Sequence, residues 1–171
     1  AVEPVHLQIV CQQLWERLSP QKQVIEADDL LKFGDVDEAL ADFYNRKIGD
    51  VVRDTRVNER HLRRWFDEEL ITEERTRNLF YHGNMKAAQI NETAVEMLRN
   101  SFIIRRLRRG LDDWYELAHD RMVNPVLAAN RNWNKAYLLR NPEQKRAVWE
   151  DMKLLIKAMD LPLPEPQGDK S

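Results

Sequence analysis

A chain of 171 residues, of which 43% are hydrophobic, is long enough to bury the core of one ordinary domain or of two small ones. Its 27 basic and 29 acidic residues leave a net charge of −2, which excludes a general electrostatic attraction to nucleic acid or to an anionic membrane. A single cysteine, Cys11, excludes an internal disulfide, and there is no apolar run of transmembrane length and no signal-peptide pattern. These features predict a cytoplasmic protein with no membrane partner.

The first third of the chain predicts a small helical bundle over residues 1–56, as part of a mainly α-helical fold. Its first apolar stripe begins at Pro4, a residue that suits the first position of a helix because its missing N–H needs no partner there. A short helix over about 27–32 and a longer helix over about 35–53 follow at helical spacing.

From Asn58 the pattern changes, and residues 57–133 predict a second domain. A helix that begins at Asn58 is followed by short candidate strands over 70–72 and 78–81. The next helix begins at Asn91, whose side chain is suited to capping the first backbone N–H groups, and it ends after about nine residues.

Two β-prone runs then predict a hairpin. Phe102–Ile104 and Trp114–Leu117 are joined by an Arg-rich segment around Gly110, which we expect to form the turn. Helix, strand, helix and two-stranded hairpin is the order of a winged-helix domain, in which the hairpin is the wing.

Two helices are expected after the hairpin. One runs from His119 to about Arg140, and Pro142 occupies the first position of the other. The domain organisation is completed by a C-terminal helical extension over residues 134–160 and a flexible, proline-containing tail over residues 161–171.

Motifs for self-contained catalysis are absent from the sequence. There is no G-x4-G-K-[S/T] phosphate loop of the kind that holds a triphosphate, and no HExxH or CxxC pairing that would predict a metal site. The chain by itself is therefore not expected to be an enzyme or to hold a metal or cofactor.

The hairpin carries a basic cluster that is a candidate contact surface. Its members within the hairpin are Arg105, Arg106, Arg108 and Arg109. A wing of this charge can contact phosphates, so DNA binding is one interpretation. The helix that would enter the major groove carries Glu92 and Glu96, which are unfavourable near phosphates. We therefore favour a solvated turn or a contact with a partner's acidic groups, and we expect no DNA binding.

His119 is the strongest candidate for a functional side chain. It follows the second β-prone run and begins a helical pattern, with Asp120 placed to cap that helix. A helix N-terminus presents unpaired N–H groups and a positive dipole end, which favour an anion. Taken alone, a histidine at such a position is more often a capping or packing residue than a ligand contact.

The residues around His119 resemble a known family. Those that carry the resemblance are Trp114–Arg121, Pro125, Asn130–Arg131 and Trp133. They resemble the winged-helix region of bacterial STAND NTPases, which are relatives of NACHT and NB-ARC proteins in signal transduction. The opening segment Glu3–Trp15 resembles the helical segment that follows the ATPase core in that family.

The resemblance implies specific roles for two residues. Ala118–Asp120 resembles the family's Met-His-Asp motif with alanine in place of methionine, which implies that His119 contacts the β-phosphate of bound ADP. Pro4 resembles the proline that packs against the adenine. The Walker motifs would belong to a P-loop NTPase domain located upstream in cis, and the early first helix also indicates that this chain is a fragment.

The function expected from this resemblance is regulatory. The chain would close over ADP held by the P-loop domain and open when ATP replaces it, with self-association or a protein partner in the activated state. Two other classes remain open: a DNA-binding winged-helix regulator, and a helical adaptor that docks a partner through its C-terminal helices.

Overall fold

A computed structural model describes residues 35–159 together with the isolated positions Cys11, Trp15 and Val24. The described chain is mainly α-helical and contains a small three-stranded antiparallel sheet. The two predicted helices before residue 34 and the tail over 161–171 lie outside the described residues, as does Pro4. The chain divides into two compact units, residues 1–130 and 131–171, while the predicted domain boundaries stay predictions.

The regular elements are as follows. The helices are α1 (Val36–Thr55), α2 (Glu59–Glu69), α3 (Glu92–Asn100), α4 (Val123–Arg140) and α5 (Pro142–Ala158). The strands are β1 (Phe80–Tyr81), β2 (Ile104–Arg109) and β3 (Asp112–Leu117). Single 3-10 turns follow β1 at His82–Asn84 and precede α4 at Asp120–Met122.

Three helices begin at the residues where the sequence predicts them. The side chains of Asp35, Asn58 and Asn91 accept hydrogen bonds from backbone N–H groups of α1, α2 and α3, at 2.9, 3.2 and 2.8 Å. Each bond satisfies a donor that the first helical turn would otherwise leave unpaired. The predicted starts of these three helices are therefore confirmed.

The sheet has the strand order β1-β3-β2, and both pairings are antiparallel. The predicted hairpin is confirmed, but its Arg-rich segment lies within strand β2 and does not form the turn, which consists of Gly110 and Leu111. Gly110 has φ +65°, a conformation that glycine adopts without steric cost. Of the earlier candidate strands, 78–81 contains β1, and 70–72 is reduced to a bridge between Ile71 and Arg77.

One hydrophobic core lies among α1, α2, α3 and the sheet. Its fully buried side chains include Leu40, Ile48, Phe66, Leu98, Ile104 and Leu117. Edge-to-face aromatic contacts join α2 to its neighbours, with Phe66 5.1 Å from Tyr44 and Trp65 5.3 Å from Phe80. Helix α1, which the sequence assigns to a separate bundle, thus shares this core.

The second unit contains the end of α4 and the whole of α5. Trp133 and Tyr137 stack at 5.0 Å, and Asn141 Nδ2 donates to the Tyr137 carbonyl at 2.8 Å after the helix ends. Helix α5 exposes several apolar side chains, namely Val148, Trp149, Met152 and Leu154. Within residues 35–159, no helix combines the length and apolar character needed to cross a membrane.

Candidate functional site at the end of the hairpin

His119 lies at the junction where β3 leads into α4. The Ala118 N–H donates to the Ile103 carbonyl at 3.0 Å, which keeps the two arms of the hairpin together up to this point. His119 is half-buried and has an extended backbone (φ −145°, ψ 145°). Its carbonyl accepts from the Met122 N–H at 3.1 Å. The histidine therefore occupies the N-terminal position of a 3-10 turn that runs directly into α4.

Asp120 has a different role from the predicted one. The position that caps the turn belongs to His119, which makes no side-chain capping bond. The Asp120 carboxylate instead accepts two hydrogen bonds from the Arg77 guanidinium, at 2.5 Å from Nε and 3.2 Å from Nη2. This two-point geometry is favourable for arginine and carboxylate, and it draws Asp120 away from the backbone N–H groups. The predicted cap is thus replaced by an ion pair.

Arg77 also connects Asp120 to the hairpin. Its Nη1 lies 3.4 Å from both Glu116 Oε1 and the Leu117 carbonyl. The same Glu116 oxygen accepts from Arg105, at 2.5 Å from Nη2 and 2.7 Å from Nε. Two guanidinium groups thus share one carboxylate whose side chain is only 11% exposed. We call Asp120, Arg77, Glu116 and Arg105 the junction network.

The predicted basic surface is smaller than the sequence indicates. Arg105 pairs with Glu116, and Arg106 lies 3.6 Å from Asp113 on the opposite strand. Within the described chain, Arg108 and Arg109 are exposed and form no ion pair. Since β2 pairs in register with the acidic strand β3, half of the predicted arginine surface is neutralised within the hairpin.

Arg121 extends the arrangement to α1. Its Nε and Nη2 donate to Asp37 Oδ1 at 3.0 and 2.9 Å, in the first turn of that helix. The three guanidinium groups around His119 are therefore balanced by three carboxylates. Because each of these guanidinium groups is paired with a carboxylate, an anion at the start of the turn would depend mainly on the helix end and on His119 itself.

A second polar network, which the sequence did not predict, is buried between α1, α2 and α4. Asn130 Oδ1 accepts from the Tyr44 hydroxyl and from Arg63 Nη1, each at 3.0 Å. Asn130 Nδ2 donates to the Arg63 carbonyl at 3.1 Å and to Asp67 at 2.7 Å. All four hydrogen-bonding positions of this side chain are used. We call these four residues the buried network.

Burial changes the acidity of two groups in the buried network. Desolvation raises the pKa of the Tyr44 hydroxyl well above its ordinary value, although the nearby Arg63 opposes the shift. Desolvation also raises the pKa of Asp67, against the hydrogen bond from Asn130. The only sequence signal for the network is Arg63 itself, a charged residue next to Leu62 on an otherwise apolar face of α2.

Among the residues that the structure describes, no cluster of three or more histidine, cysteine, aspartate or glutamate side chains could hold a metal ion. Pro4 lies outside those residues, so its relation to His119 stays a prediction. No family model, no curated protein and no solved structure matches this chain.

Proposed function

We propose that this chain is the nucleotide-sensing, closing region of a STAND-type signal-transduction NTPase, with its P-loop domain upstream in cis. The observation that carries the proposal is the position of His119 at the N-terminal end of the turn leading into α4. The resemblance implies that a histidine there contacts the β-phosphate of ADP. Backbone N–H groups at a helix start favour such an anion, so the local geometry supports this role.

The order of elements supports a winged-helix arrangement in this region. Helix α2, strand β1, helix α3 and the hairpin β2–β3 follow one another in the expected sequence. In the proposed arrangement the hairpin is the wing and His119 follows its second strand. The sheet order β1-β3-β2 places the short first strand beside the strand that leads to His119.

The junction network is compatible with a phosphate group bound at His119. An unpaired carboxylate at Asp120 would repel a phosphate bound at the adjacent residue. Because Arg77 contacts Asp120 through two nitrogens, most of that negative charge is neutralised before a nucleotide arrives. Arg77 is thus proposed to act through Asp120, while His119 makes the phosphate contact.

The ion pairs of α3 and of the hairpin do not favour a DNA-binding function. On α3, Glu96 accepts a hydrogen bond from Arg99 at 2.6 Å, which neutralises a basic group of the helix that would face the duplex. With Arg105 and Arg106 also paired to carboxylates, Arg108 and Arg109 are the arginines of the hairpin without an ion pair among the described residues. Such a surface releases few counterions from DNA and so binds it weakly.

A helical adaptor is the second candidate function, and one observation favours it. Helix α5 leaves Trp149 41% exposed and Met152 45% exposed. Aromatic residues and methionine are enriched in protein interfaces. Such a role would reside in α5 and would not require His119, so the two functions can be tested separately.

The proposal is tested by replacing His119 with alanine in the protein that includes the upstream P-loop domain. We expect the ADP-induced rise in melting temperature to be lost or strongly reduced. A hydrogen bond to a charged phosphate is worth about 1.5–3 kcal/mol. Its loss would shift the closed–open balance toward open by roughly one to two powers of ten.

A matched control is His61→Ala, which removes a half-buried histidine of α2 that lies outside the junction. That variant should keep the full response to ADP. If His119 only packs against its surroundings, its replacement will lower the melting temperature equally with and without ADP. An ADP-induced rise that is equal in the wild type and in His119→Ala would reject the phosphate contact.

A further inference from the structure

A cleft separate from the His119 junction lies between α2, β1 and β3. It has a volume of about 440 Å³, and its walls include Glu69, Phe80, Tyr81, Asp112 and Trp114. These residues come from three elements of the first unit, so the cleft depends on the fold and not on one local motif. None of them belongs to the junction network or to the buried network.

The charges that line this cleft are all negative. Glu69 and Asp112 are both exposed carboxylates, and no basic residue is among the lining residues. Asp112 Oδ1 accepts a hydrogen bond from the Tyr81 hydroxyl at 3.2 Å. Among the described residues, neither Asp112 Oδ2 nor the Glu69 carboxylate has a hydrogen-bond partner. Two acceptor groups are thus available to a cationic ligand.

An ordered aromatic wall stands beside these carboxylates. The rings of Tyr81 and Trp114 are 5.1 Å apart and inclined at 46°. The Tyr81 ring lies directly against Gly83, where even a methyl group would overlap the ring. The hydroxyl bond to Asp112, the contact with Trp114 and the close approach to Gly83 hold Tyr81 in one orientation. A preorganised ring loses little entropy when a ligand binds.

We propose that this cleft binds the side chain of an arginine of a protein partner. A guanidinium group can stack on an aromatic face and at the same time donate hydrogen bonds to carboxylates. It is also more weakly hydrated than an ammonium group, so it loses less solvation at a partly exposed site. The lining of the cleft does not include His119, and the proposal does not rest on the nucleotide-sensing role.

One basic residue of the chain itself lies near the cleft. Arg109 is opposite Asp112 in the β2–β3 register, so the two side chains project from the same face of the hairpin. Arg109 does not line the cleft and forms no ion pair with Asp112. Its charge would oppose the binding of a second guanidinium, so removing that charge is expected to strengthen binding.

The experiment uses the full chain and the blocked tripeptide acetyl-Gly-Arg-Gly-amide as the probe. Binding is followed by the NMR signal of the Trp114 indole N–H. We expect millimolar binding of this peptide, weaker binding when lysine replaces the arginine, and the weakest binding with citrulline. Citrulline has nearly the same shape as arginine but no charge. Equal binding of the arginine and citrulline peptides would overturn the proposal.

Variants of the chain separate the contributions of charge and of the aromatic wall. Asp112→Asn keeps an acceptor for Tyr81 but removes the charge, and it should weaken binding about two- to fivefold. Trp114→Leu lacks the indole signal, so its binding is followed by the backbone amide signals of Tyr81 and Asp112. It should weaken binding by a similar factor of about two to five. Arg109→Gln should strengthen it. If Trp114→Leu does not fold, the two surface variants still decide the question.

The matched control for Asp112→Asn is Asp113→Asn. Asp113 is the neighbouring carboxylate, but it lies on the opposite face of β3 and pairs with Arg106. This variant changes the net charge of the chain by the same amount and should leave binding unchanged. Equal weakening by both variants would show only a general electrostatic attraction, and it would reject the cleft as the site.

Discussion

The buried network and the junction network use similar bonds in different surroundings. In the buried network, Tyr44 and Asn130 are fully buried and Arg63 is 4% exposed. In the junction network, the side chain of Arg77 is 21% exposed and that of Asp120 is 76% exposed. Both networks connect segments that are far apart in sequence. Access to water is what differs between them.

This difference in exposure suits the buried network to stabilising the fold and the junction network to a response to a ligand. A buried polar group that loses its partner pays the full cost of desolvation, whereas an exposed group can exchange its partner for water. The buried network therefore holds α1, α2 and α4 in one arrangement. In the junction network, the pair between Arg77 and the exposed Asp120 can be rearranged at low cost, as a site that responds to a ligand requires.

The largest expected effect comes from breaking the buried network at its centre. Asn130→Ala removes the acceptor of Tyr44 and Arg63 and the donor to Asp67. Because these groups would remain buried without that partner, we expect a loss of about 2–4 kcal/mol in the free energy of unfolding. Urea denaturation measures it as a lower midpoint.

The control for this change is Asn132→Ala, at an exposed position of the same helix. It should alter stability by no more than about 0.5 kcal/mol. A comparable loss in both variants would mean that helix propensity, and not the network, determines the effect.

A smaller effect is expected when one bond of the buried network is removed and the ring is kept. Tyr44→Phe deletes the hydroxyl that donates to Asn130, while Arg63 still donates to the same oxygen. The expected loss is about 1 kcal/mol, the usual net value of such a bond. Thermal unfolding monitored by circular dichroism checks it, and a loss as large as that of Asn130→Ala would contradict this ranking.

The junction network should contribute less again. A double-mutant cycle with Arg77→Gln and Asp120→Asn should give a coupling energy of about 0.2–1 kcal/mol, because Asp120 is largely exposed. The coupling should fall in 1 M salt, since mobile ions screen exposed charges. A larger coupling energy that is insensitive to salt would show that this pair behaves like the buried network. The proposed energetic difference between the two networks would then be wrong.

The smallest effect concerns Asp67, and it depends on pH. Because burial raises its folded-state pKa, the protonated form is favoured by folding. Its stabilising contribution is fully present below the ordinary pKa of aspartate, and it is lost as the pH rises through the raised value. The free energy of unfolding of Asp67→Asn, relative to that of the wild type, should therefore be highest at neutral pH. It should fall as the pH is lowered.

Urea denaturation of both proteins between pH 3 and pH 7 measures this dependence, with a change at an exposed carboxylate outside the network, Glu74→Gln, as the control. A rise in the stability of Asp67→Asn relative to the wild type as the pH falls would contradict the assigned direction of the pKa shift.

The sequence predicts well those features that depend on neighbouring residues. The helix starts at Asp35, Asn58 and Asn91 follow from the short reach between a capping side chain and the next backbone N–H groups. The hairpin follows from two β-prone runs separated by Gly110. His119 lies at the start of the turn that leads into α4, as its place directly after the second of those runs predicts.

Features that depend on distant residues were not predictable from local patterns. Asp120 was expected to cap a helix, but Arg77, which is 43 positions earlier, supplies its hydrogen bonds. Arg63 and Asn130 are 67 positions apart, and the sequence around each residue gives no indication of the other as its hydrogen-bond partner. The charge of the Arg-rich segment predicts a turn, but the segment forms the edge strand β2. An edge strand accommodates such charged residues, which also discourage pairing with other chains.

Helix α4 begins in the first compact unit and ends in the second, with Asn130 at the boundary. Before that boundary the helix includes several buried side chains, such as those of Val126 and Ala129. After it, the side chains are exposed or half-buried. Amide hydrogens in the first half can exchange with solvent only when the unit opens, whereas those in the second half can exchange through local fraying. A single continuous helix would then show two exchange regimes, with the change at Asn130.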